Sequence, residues 1–397
     1  MKLLFVVSSL DLTQPFSATP AWWQLMKGLY EIGADVVATP YQGPAIETLW
    51  WRAERNPARA YGDAFKAVRD ATRRVMPARD GSATQPEETP DESMADKLVR
   101  QTAQTFIAPL WYRHLDRILT EQPDIDAVIF LTVPLNHLVG VAGELQSKHN
   151  TPIFYYDGDV PASLPNMRGF ASGFRIYQGA DASEYTAFIS NSDGGREPLL
   201  ELGAKAVHTL YYGADPDVFS PVTVPEQDVD VFFYGHGREY REQWVDAMLV
   251  NPSRTMTETR FAVRGTRLGD LGNVELLPYL SFSKLREYAS RSKINLVITR
   301  GAHAGTMRSS SSRPFELASM GACMVCNPYA GIEAWFQPGR ELFVADSEEE
   351  AADRYAWLLQ NEHERLRVGL AARDRVLKEH TFRHRAQTLT DIVREYI

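Results

Sequence analysis

Short apolar runs alternate with helical segments along nearly the whole chain, and this alternation is the strongest constraint on its fold. The first series of runs lies at residues 2–8, 34–40, 127–133, 152–157, 187–192 and 206–212. The second series lies at residues 229–237, 260–265, 273–278, 294–299, 323–328 and 341–346. Runs of this length with helices between them predict parallel strands joined by crossover helices, and therefore an α/β fold.

The two series predict two domains with room for a cleft between them. A chain of 397 residues is too long for one typical hydrophobic core. A stretch rich in Asp and Pro near residues 213–226 separates the series, so we predict domains at 1–215 and 226–380. Thr381 is placed to cap a final helix over 381–397.

The segment of about 43–120 departs from the regular alternation. Residues 78–93 collect Pro, Gly, Ser and acidic residues, which predicts a loop, and a long helix is predicted near 97–122. We interpret the whole segment as a variable insertion in the first domain.

Composition disfavours several classes of protein. The formal net charge is −9, from 51 acidic and 42 basic residues, which argues against a broad DNA-binding face. The chain has no long apolar run, so stable membrane insertion is not expected. The first residues read as a buried strand, and the two cysteines, Cys323 and Cys326, lie in a predicted strand without a second ligand pair. We therefore expect a cytoplasmic protein with no metal site.

The strongest chemical signal is the polar loop after the predicted strand at 294–299. Its cationic and hydroxyl side chains include Arg300, His303, Arg308, Ser311, Ser312 and Arg313. A helix is predicted to begin near Pro314, and the N–H groups of a helix start suit a diphosphate when guanidinium groups flank them. Glu316 lies in the first turn, where its carboxylate can accept hydrogen bonds from a ribose. The alternative is a capped helix start in which Glu316 merely favours the helix dipole.

Two other loops of the second series carry weaker signals. Gly235, His236 and Gly237 form a tight turn that allows close backbone approach to a ligand, and Arg241 can neutralise phosphate charge. The third glycine of a dinucleotide fingerprint is missing, so a plain glycine turn is the alternative. Tyr279 can stack on a base, although half-buried packing explains such a tyrosine equally well.

The first series offers candidates for proton transfer. Asp157 and Asp159 follow a strand at the end that faces the predicted cleft, and either can act as a general base or bind a hydroxyl group. Asp-Gly-Asp before proline is also ordinary turn chemistry. His137 is a comparable candidate, with helix capping or packing as its alternative.

Four segments together resemble a known family. They are LYYGADPDVFSP (210–221), VDVFFYGHG (229–237), SRPFELASMGACMVCNPYAGIEAWFQPGREL (312–342) and KEHTFRHRA (378–386). Their content and order are similar to the glycosyl transferases group 1 superfamily with the GT-B fold, and to its CgeB-like branch.

The resemblance implies two Rossmann-like domains facing each other across a cleft, with a final helix that crosses back to the first domain. It implies a nucleotide-sugar donor on the second domain, an acceptor on the first, and no obligatory metal or cofactor. Glu316 matches the second glutamate of the family's E-x7-E motif, which resembles a ribose ligand. Arg308 takes the place of the first glutamate, and this departure leaves the donor geometry and the anomeric outcome open.

Three functions remain in competition at this point. Transfer of a sugar to a hydroxyl-bearing acceptor is the main hypothesis, with a small molecule, glycan, protein or modified DNA as the acceptor. A nucleotide-sugar 2-epimerase shares the fold and needs no acceptor. A catalytically inactive nucleotide-binding relative is the third, because Arg308 replaces a glutamate. The sugar, the nucleotide and the oligomeric state are not identified by the sequence.

Overall fold

A computed structural model describes residues 1–12, 20–60, 94–165, 176–241, 243–278 and 284–397, without the side chains of 94–96 and 239. The predicted loop at 78–93 and Tyr279 lie outside the described residues.

Seven parallel strands form the first sheet, in the order β3-β2-β1-β4-β5-β6-β7. The strands are β1 (Lys2–Ser9), β2 (Asp35–Gln42), β3 (Arg52–Ala53), β4 (Ala127–Leu131), β5 (Ile153–Asp157), β6 (Ala187–Ser190) and β7 (Val207–Thr209). The order reverses between β1 and β4, and such a switch point opens a crevice at the carboxyl ends of the strands.

Helices cover both faces of this sheet, which explains why its strands are apolar almost throughout. The helices are α1 (Ala21–Glu31), α2 (Met94–Thr102), α3 (Ala108–Glu121), α4 (Val141–His149) and α5 (Arg196–Glu201). Trp111, Leu115 and Ile118 of α3 are fully buried in the core on one face. The described end of the segment 43–120 is thus part of the main core.

Six parallel strands form the second sheet, in the order β10-β9-β8-β11-β12-β13. They are β8 (Val229–His236), β9 (Phe261–Thr266), β10 (Glu275–Leu276), β11 (Ser292–Val297), β12 (Met324–Cys326) and β13 (Phe343–Val344). The helices around them are α6 (Asn251–Thr255), α7 (Leu285–Arg291), α8 (Gly301–Gly305), α9 (Ser312–Ser319), α10 (Glu348–Gln360) and α11 (Glu362–Glu379). The switch point of this sheet lies between β8 and β11. The two sheets confirm the predicted α/β fold.

The last helix, α12 (Phe382–Arg394), crosses back to the first sheet as predicted. Its hydroxyl cap is Thr381, which accepts a hydrogen bond from the N–H of His384. Leu389 and Val393 are buried in the core that also contains α1. A Cβ at Gly28 of α1 would lie 2.6 Å from the Phe382 carbonyl oxygen, so only glycine allows this close approach.

The chain passes from the first sheet to the second near residue 214 and returns near residue 381. These two crossings run side by side. Ala214, in the first crossing, pairs with Thr381 in a parallel bridge. The N–H of Ala214 donates to the His380 carbonyl at 3.1 Å, and the N–H of Phe382 donates to the Ala214 carbonyl at 3.0 Å. Lys27 of α1 adds an ion pair of 2.9 Å to Asp215 of the same crossing.

A second contact, which we call the serine bridge, joins residues 191–194 to residues 307–310. The Ser310 N–H donates to the Asn191 carbonyl at 3.0 Å, and the Asn191 side-chain amide donates to the Ser310 carbonyl at 2.9 Å. Ser192 pairs with Ser309 in an antiparallel bridge. Ser309 and Ser310, the first two of four consecutive serines, therefore connect the two sheets.

Candidate functional site

A cavity of roughly 270 Å³, here the main cavity, opens beyond the carboxyl ends of β8 and β11. Its lining residues from the second-sheet side are Tyr234, His236, Arg241, Thr299, Arg300, His303, Ser310, Ser311, Ser312, Arg313 and Glu316. The first-sheet side contributes Ala21, Gly158, Asp159 and Tyr212. This is the switch point of the second sheet, where open α/β sheets bind ligands.

Glu316 is a buried carboxylate at the floor of this cavity. The Tyr234 hydroxyl donates to Oε2 at 2.9 Å, and Oε1 has no hydrogen-bond partner among the described residues. Burial raises the pKa of Glu316 to about 7, against the opposing effects of Tyr234, Arg313 and Ser312. A buried oxygen without a partner is costly, so this position favours a ligand that supplies a hydroxyl donor.

Two arginines meet at the end of β11. Arg241 Nε donates to the Ile298 carbonyl at 3.1 Å, and Arg313 donates to the same carbonyl at 3.0 Å. Arg241 also donates to the carbonyls of His236 and Gly237, so it ties the β8 loop to β11. Both guanidinium groups thereby bring positive charge to one wall of the cavity.

Gly235, near the end of β8, leaves room for these arginines. A Cβ at Gly235 would lie 3.2 Å from the guanidinium nitrogens of both Arg241 and Arg313. Gly237 has a φ of +68°, a left-handed conformation that favours glycine. Between them, His236 lines the cavity and hydrogen-bonds Thr266 at 2.6 Å.

Helix α9 begins at the cavity. Ser311 occupies the N-cap position, but its hydroxyl makes no capping hydrogen bond to the helix. The N–H groups of Ser312 and Arg313 belong to the first turn, where no intrahelical acceptor exists. The start of α9 therefore offers N–H donors and the positive end of a helix dipole to an anion.

Asp159 reaches the cavity from the first sheet. Its Oδ1 accepts a hydrogen bond of 3.2 Å from Arg300 and lies 3.7 Å from His303 Nε2. Burial raises the pKa of Asp159 to about 6, although Arg300 opposes the shift. Burial lowers the pKa of His303 to about 3, so this imidazole is neutral, and its buried Nδ1 has no partner among the described residues.

Solved structures share this arrangement of two sheets. The similar structures include sucrose-phosphate synthase from Thermosynechococcus elongatus, with 14% identity, 100% of this chain and 99% of that chain covered, and a TM-score of 0.66. An alpha,alpha-trehalose-phosphate synthase (UDP-forming) from Burkholderia vietnamiensis has 13% identity, 99% coverage of both chains and a TM-score of 0.62. Anabaena HepE in complex with UDP-glucose has 13% identity, full coverage of both chains and a TM-score of 0.59.

The family comparison covers the part of the chain that contains α9. Residues 238–391 match the family described as Glycosyl transferase-like. The chain has the GT-B fold. No curated protein sequence matches it. The CgeB-like branch remains a prediction, because neither comparison distinguishes it.

The fold gathers most of the predicted donor residues around one cavity. Those that line it are His236, Arg241, Arg300, His303, Ser311, Ser312, Arg313 and Glu316. Gly235 and Gly237 shape the turn beside it, as described above.

Besides Gly235 and Gly237, three described residues of the predicted site lie outside the lining of the main cavity. Asp157 is fully buried and accepts hydrogen bonds from Ser163 at 2.5 Å and Tyr177 at 2.6 Å, so it holds its own loop together. His137 hydrogen-bonds the Tyr41 hydroxyl at 2.8 Å, away from the lining. Arg308 forms an ion pair of 3.1 Å with Asp193 within the serine bridge.

Sequence reasoning missed two tyrosines of the site. Tyr234 holds Glu316, and its only signal was a hydroxyl at the end of an apolar strand. The Tyr212 hydroxyl donates to the Gly158 carbonyl at 2.5 Å, and its N–H donates to the Ser310 hydroxyl at 2.9 Å. No local sequence pattern predicts such a contact, because its partners are distant in sequence.

Changing Arg308 to alanine tests whether this arginine takes part in donor binding. Because its side chain points to Asp193 and does not line the cavity, we expect the Kd for a nucleoside diphosphate to stay within about threefold of the wild-type value. Arg313→Ala, which removes a cavity guanidinium, should raise the same Kd by roughly tenfold or more. Isothermal titration calorimetry measures both. Equal losses for the two variants would place Arg308 at the phosphates.

The described residues contain no helix long and apolar enough to cross a membrane. Nor do they contain a group of three or more His, Cys, Asp or Glu side chains arranged to hold a metal ion. Cys323 and Cys326 are buried, and burial raises the pKa of both thiols to about 12.

Proposed function

We propose that the protein is a glycosyltransferase, which binds a nucleoside diphosphate sugar in the main cavity and transfers the sugar to a hydroxyl-bearing acceptor. The observation that carries the proposal is the unpartnered Oε1 of buried Glu316, one helical turn from the start of α9. When a ribose hydroxyl binds Glu316, the diphosphate lies next to the N–H groups of α9. We assign donor binding to residues 226–380 and acceptor binding to residues 1–215.

The diphosphate meets fixed positive charge in this arrangement. Arg313 lies over the rings of Phe233 and Tyr234, with 5.2 and 5.0 Å from the guanidinium carbon to the ring centroids. This contact and the bond to Ile298 hold the group in place before the donor binds. Charge that develops on the leaving diphosphate is stabilised without reorganisation. We therefore propose a metal-independent transfer.

Uridine is the first nucleotide to consider. HepE is in complex with UDP-glucose, and the Burkholderia vietnamiensis synthase is named as UDP-forming. Both share the fold of this chain at 13% identity. A role for Tyr279 in binding the base stays a prediction, because this residue lies outside the described residues.

Asp159 is the group we assign to the acceptor. During transfer the bond between the anomeric carbon and the diphosphate oxygen breaks, and its electron pair leaves with the diphosphate. A bond forms between the acceptor oxygen and the anomeric carbon, and the acceptor proton passes to the Asp159 carboxylate. A pKa of about 6 leaves this carboxylate mostly ionised at neutral pH and basic enough to take a proton.

Titration with UDP, GDP, ADP, dTDP and CDP, each with EDTA and with magnesium, tests the donor site. We expect one diphosphate to bind equally well in both conditions and to raise the melting temperature. If none binds, the proposal is wrong. If binding requires magnesium, metal independence is wrong.

Turnover of the matching nucleotide sugar then separates the three functions. Release of the diphosphate that depends on an added hydroxyl compound supports transfer. Conversion to an epimeric donor without an acceptor supports the 2-epimerase, and binding without either reaction supports an inactive relative.

A further inference from the structure

A second, smaller cavity of roughly 90 Å³ lies at the carboxyl ends of the first-sheet strands. Its described lining residues are Ser8, Tyr41, Gln42, Thr132, Pro134, Asp159, Ser163 and Ile176. Ser8 belongs to β1, while Thr132 directly follows β4. The cavity therefore sits at the switch point of the first sheet, the counterpart of the main cavity on the second.

Local backbone strain marks the same place. Thr132 has a φ of +48°, which is rare for a β-branched residue. Its hydroxyl accepts a hydrogen bond of 3.3 Å from the Gly158 N–H, so the strained residue supports the loop that carries Asp159. Strain of this kind persists where the surrounding structure enforces it, and it concentrates at ligand sites.

Asp159 connects the two cavities, since it lines both. Its Oδ1 faces the donor side through Arg300 and His303. A hydroxyl group in the smaller cavity would thus meet a carboxylate that also borders the donor.

The smaller cavity has a wall suited to an uncharged sugar or polyol. Tyr41 is fixed by stacking on Trp111, with ring centroids 5.7 Å apart, and by its hydrogen bond to His137. Ser8, Gln42 and the Thr132 hydroxyl add neutral polar groups. Asp159 is the one charged residue in the described lining, which contains no lysine or arginine to accept a phosphate.

We propose that the smaller cavity is the acceptor subsite and that it receives the uncharged, hydroxyl-bearing end of a sugar or polyol, with phosphorylated ends excluded. The inference rests on the proposed glycosyl transfer. A volume of a few water molecules admits one end of such a molecule and leaves the rest in the space between the sheets. The hydroxyl that enters is activated by Asp159, and the repulsion of a phosphate by this carboxylate sets the selectivity.

Ligand binding by saturation-transfer difference NMR tests the subsite on the full chain saturated with its nucleoside diphosphate. The probes are glucose, mannose, N-acetylglucosamine, myo-inositol and glycerol, together with glucose 6-phosphate and mannose 6-phosphate. We expect a signal from at least one uncharged probe and a signal at least about tenfold weaker from its phosphate.

Two matched leucine substitutions locate the binding. Ser8→Leu fills the smaller cavity and should raise the Kd of the bound probe by about tenfold or more, with the Kd of the nucleoside diphosphate unchanged. Ser147→Leu, on the exposed face of α4, should alter neither constant. The proposal is overturned if phosphates bind better, if Ser8→Leu leaves probe binding intact, or if no uncharged probe binds. Nucleotide binding that persists in those cases leaves the donor proposal standing.

Discussion

Glu316→Gln is expected to weaken nucleoside diphosphate binding roughly 10- to 100-fold, because a carboxyl oxygen that accepts a ribose hydrogen bond is replaced by an amide NH2 group in a buried site. Glutamine has almost the same volume, and the Tyr234 hydroxyl can still donate to its amide oxygen. Calorimetric titration of both proteins with the bound nucleotide measures the change. A loss of this size identifies Glu316 as the residue that holds the ribose.

The same substitution should not reduce the stability of the fold. Burial raises the pKa of Glu316 to about 7, so the folded protein favours the neutral carboxyl group. Its stabilising contribution is complete at low pH and is lost as the pH rises through about 7. At pH 8 the melting temperature of Glu316→Gln should therefore equal or exceed that of the wild type. Glu333→Gln, on an exposed glutamate, is the control for both measurements. Unchanged nucleotide affinity in Glu316→Gln would contradict the assignment.

Asp159→Asn is expected to lower the rate of transfer by roughly 10²- to 10⁴-fold, the usual contribution of a general base. The nucleoside diphosphate should still bind, because the start of α9 and Glu316 are untouched. The wild-type rate should fall as the pH drops through about 6, where Asp159 takes up a proton and can no longer accept one. The remaining activity of the variant should lack this acidic limb.

The pH profile is the decisive part of this test. A merely structural role of Asp159 in its contact with Arg300 would lower the rate at every pH and keep the limb. Asp353→Asn changes an exposed aspartate of α10 in the same way and should behave like the wild type. Retention of full transfer activity by Asp159→Asn would exclude it as the base.

The sheets were predictable because their strands are buried on both sides. Ten of the twelve predicted strands overlap observed ones by three residues or more, since such strands read as continuous apolar runs. The strands predicted at 273–278 and 341–346 are only two residues long, Glu275–Leu276 and Phe343–Val344, and β3 at Arg52–Ala53 was not predicted. Two-residue edge strands carry too few residues for a pattern to show.

The site was predictable only where one loop supplied several residues. Arg313, Ser312 and Glu316 lie within five positions of each other, so a single helix start brings them together. Asp157 and Asp159 are two residues apart and were indistinguishable in sequence. Only the fold shows that the first is buried among hydroxyl groups while the second borders both cavities.

The paired crossings at Ala214 and Thr381 have a mechanical consequence. Two chain segments joined side by side by hydrogen bonds act as a hinge that bends easily about one axis and resists twisting. We expect any separation of the two sheets to be a rotation about this hinge, in which the contacts of the serine bridge break. Such a rotation would withdraw Asp159 from Arg300 while keeping Glu316, Tyr234 and α9 together as one rigid half. The half that carries the carboxylate for the ribose would thus stay assembled whether the enzyme is open or shut.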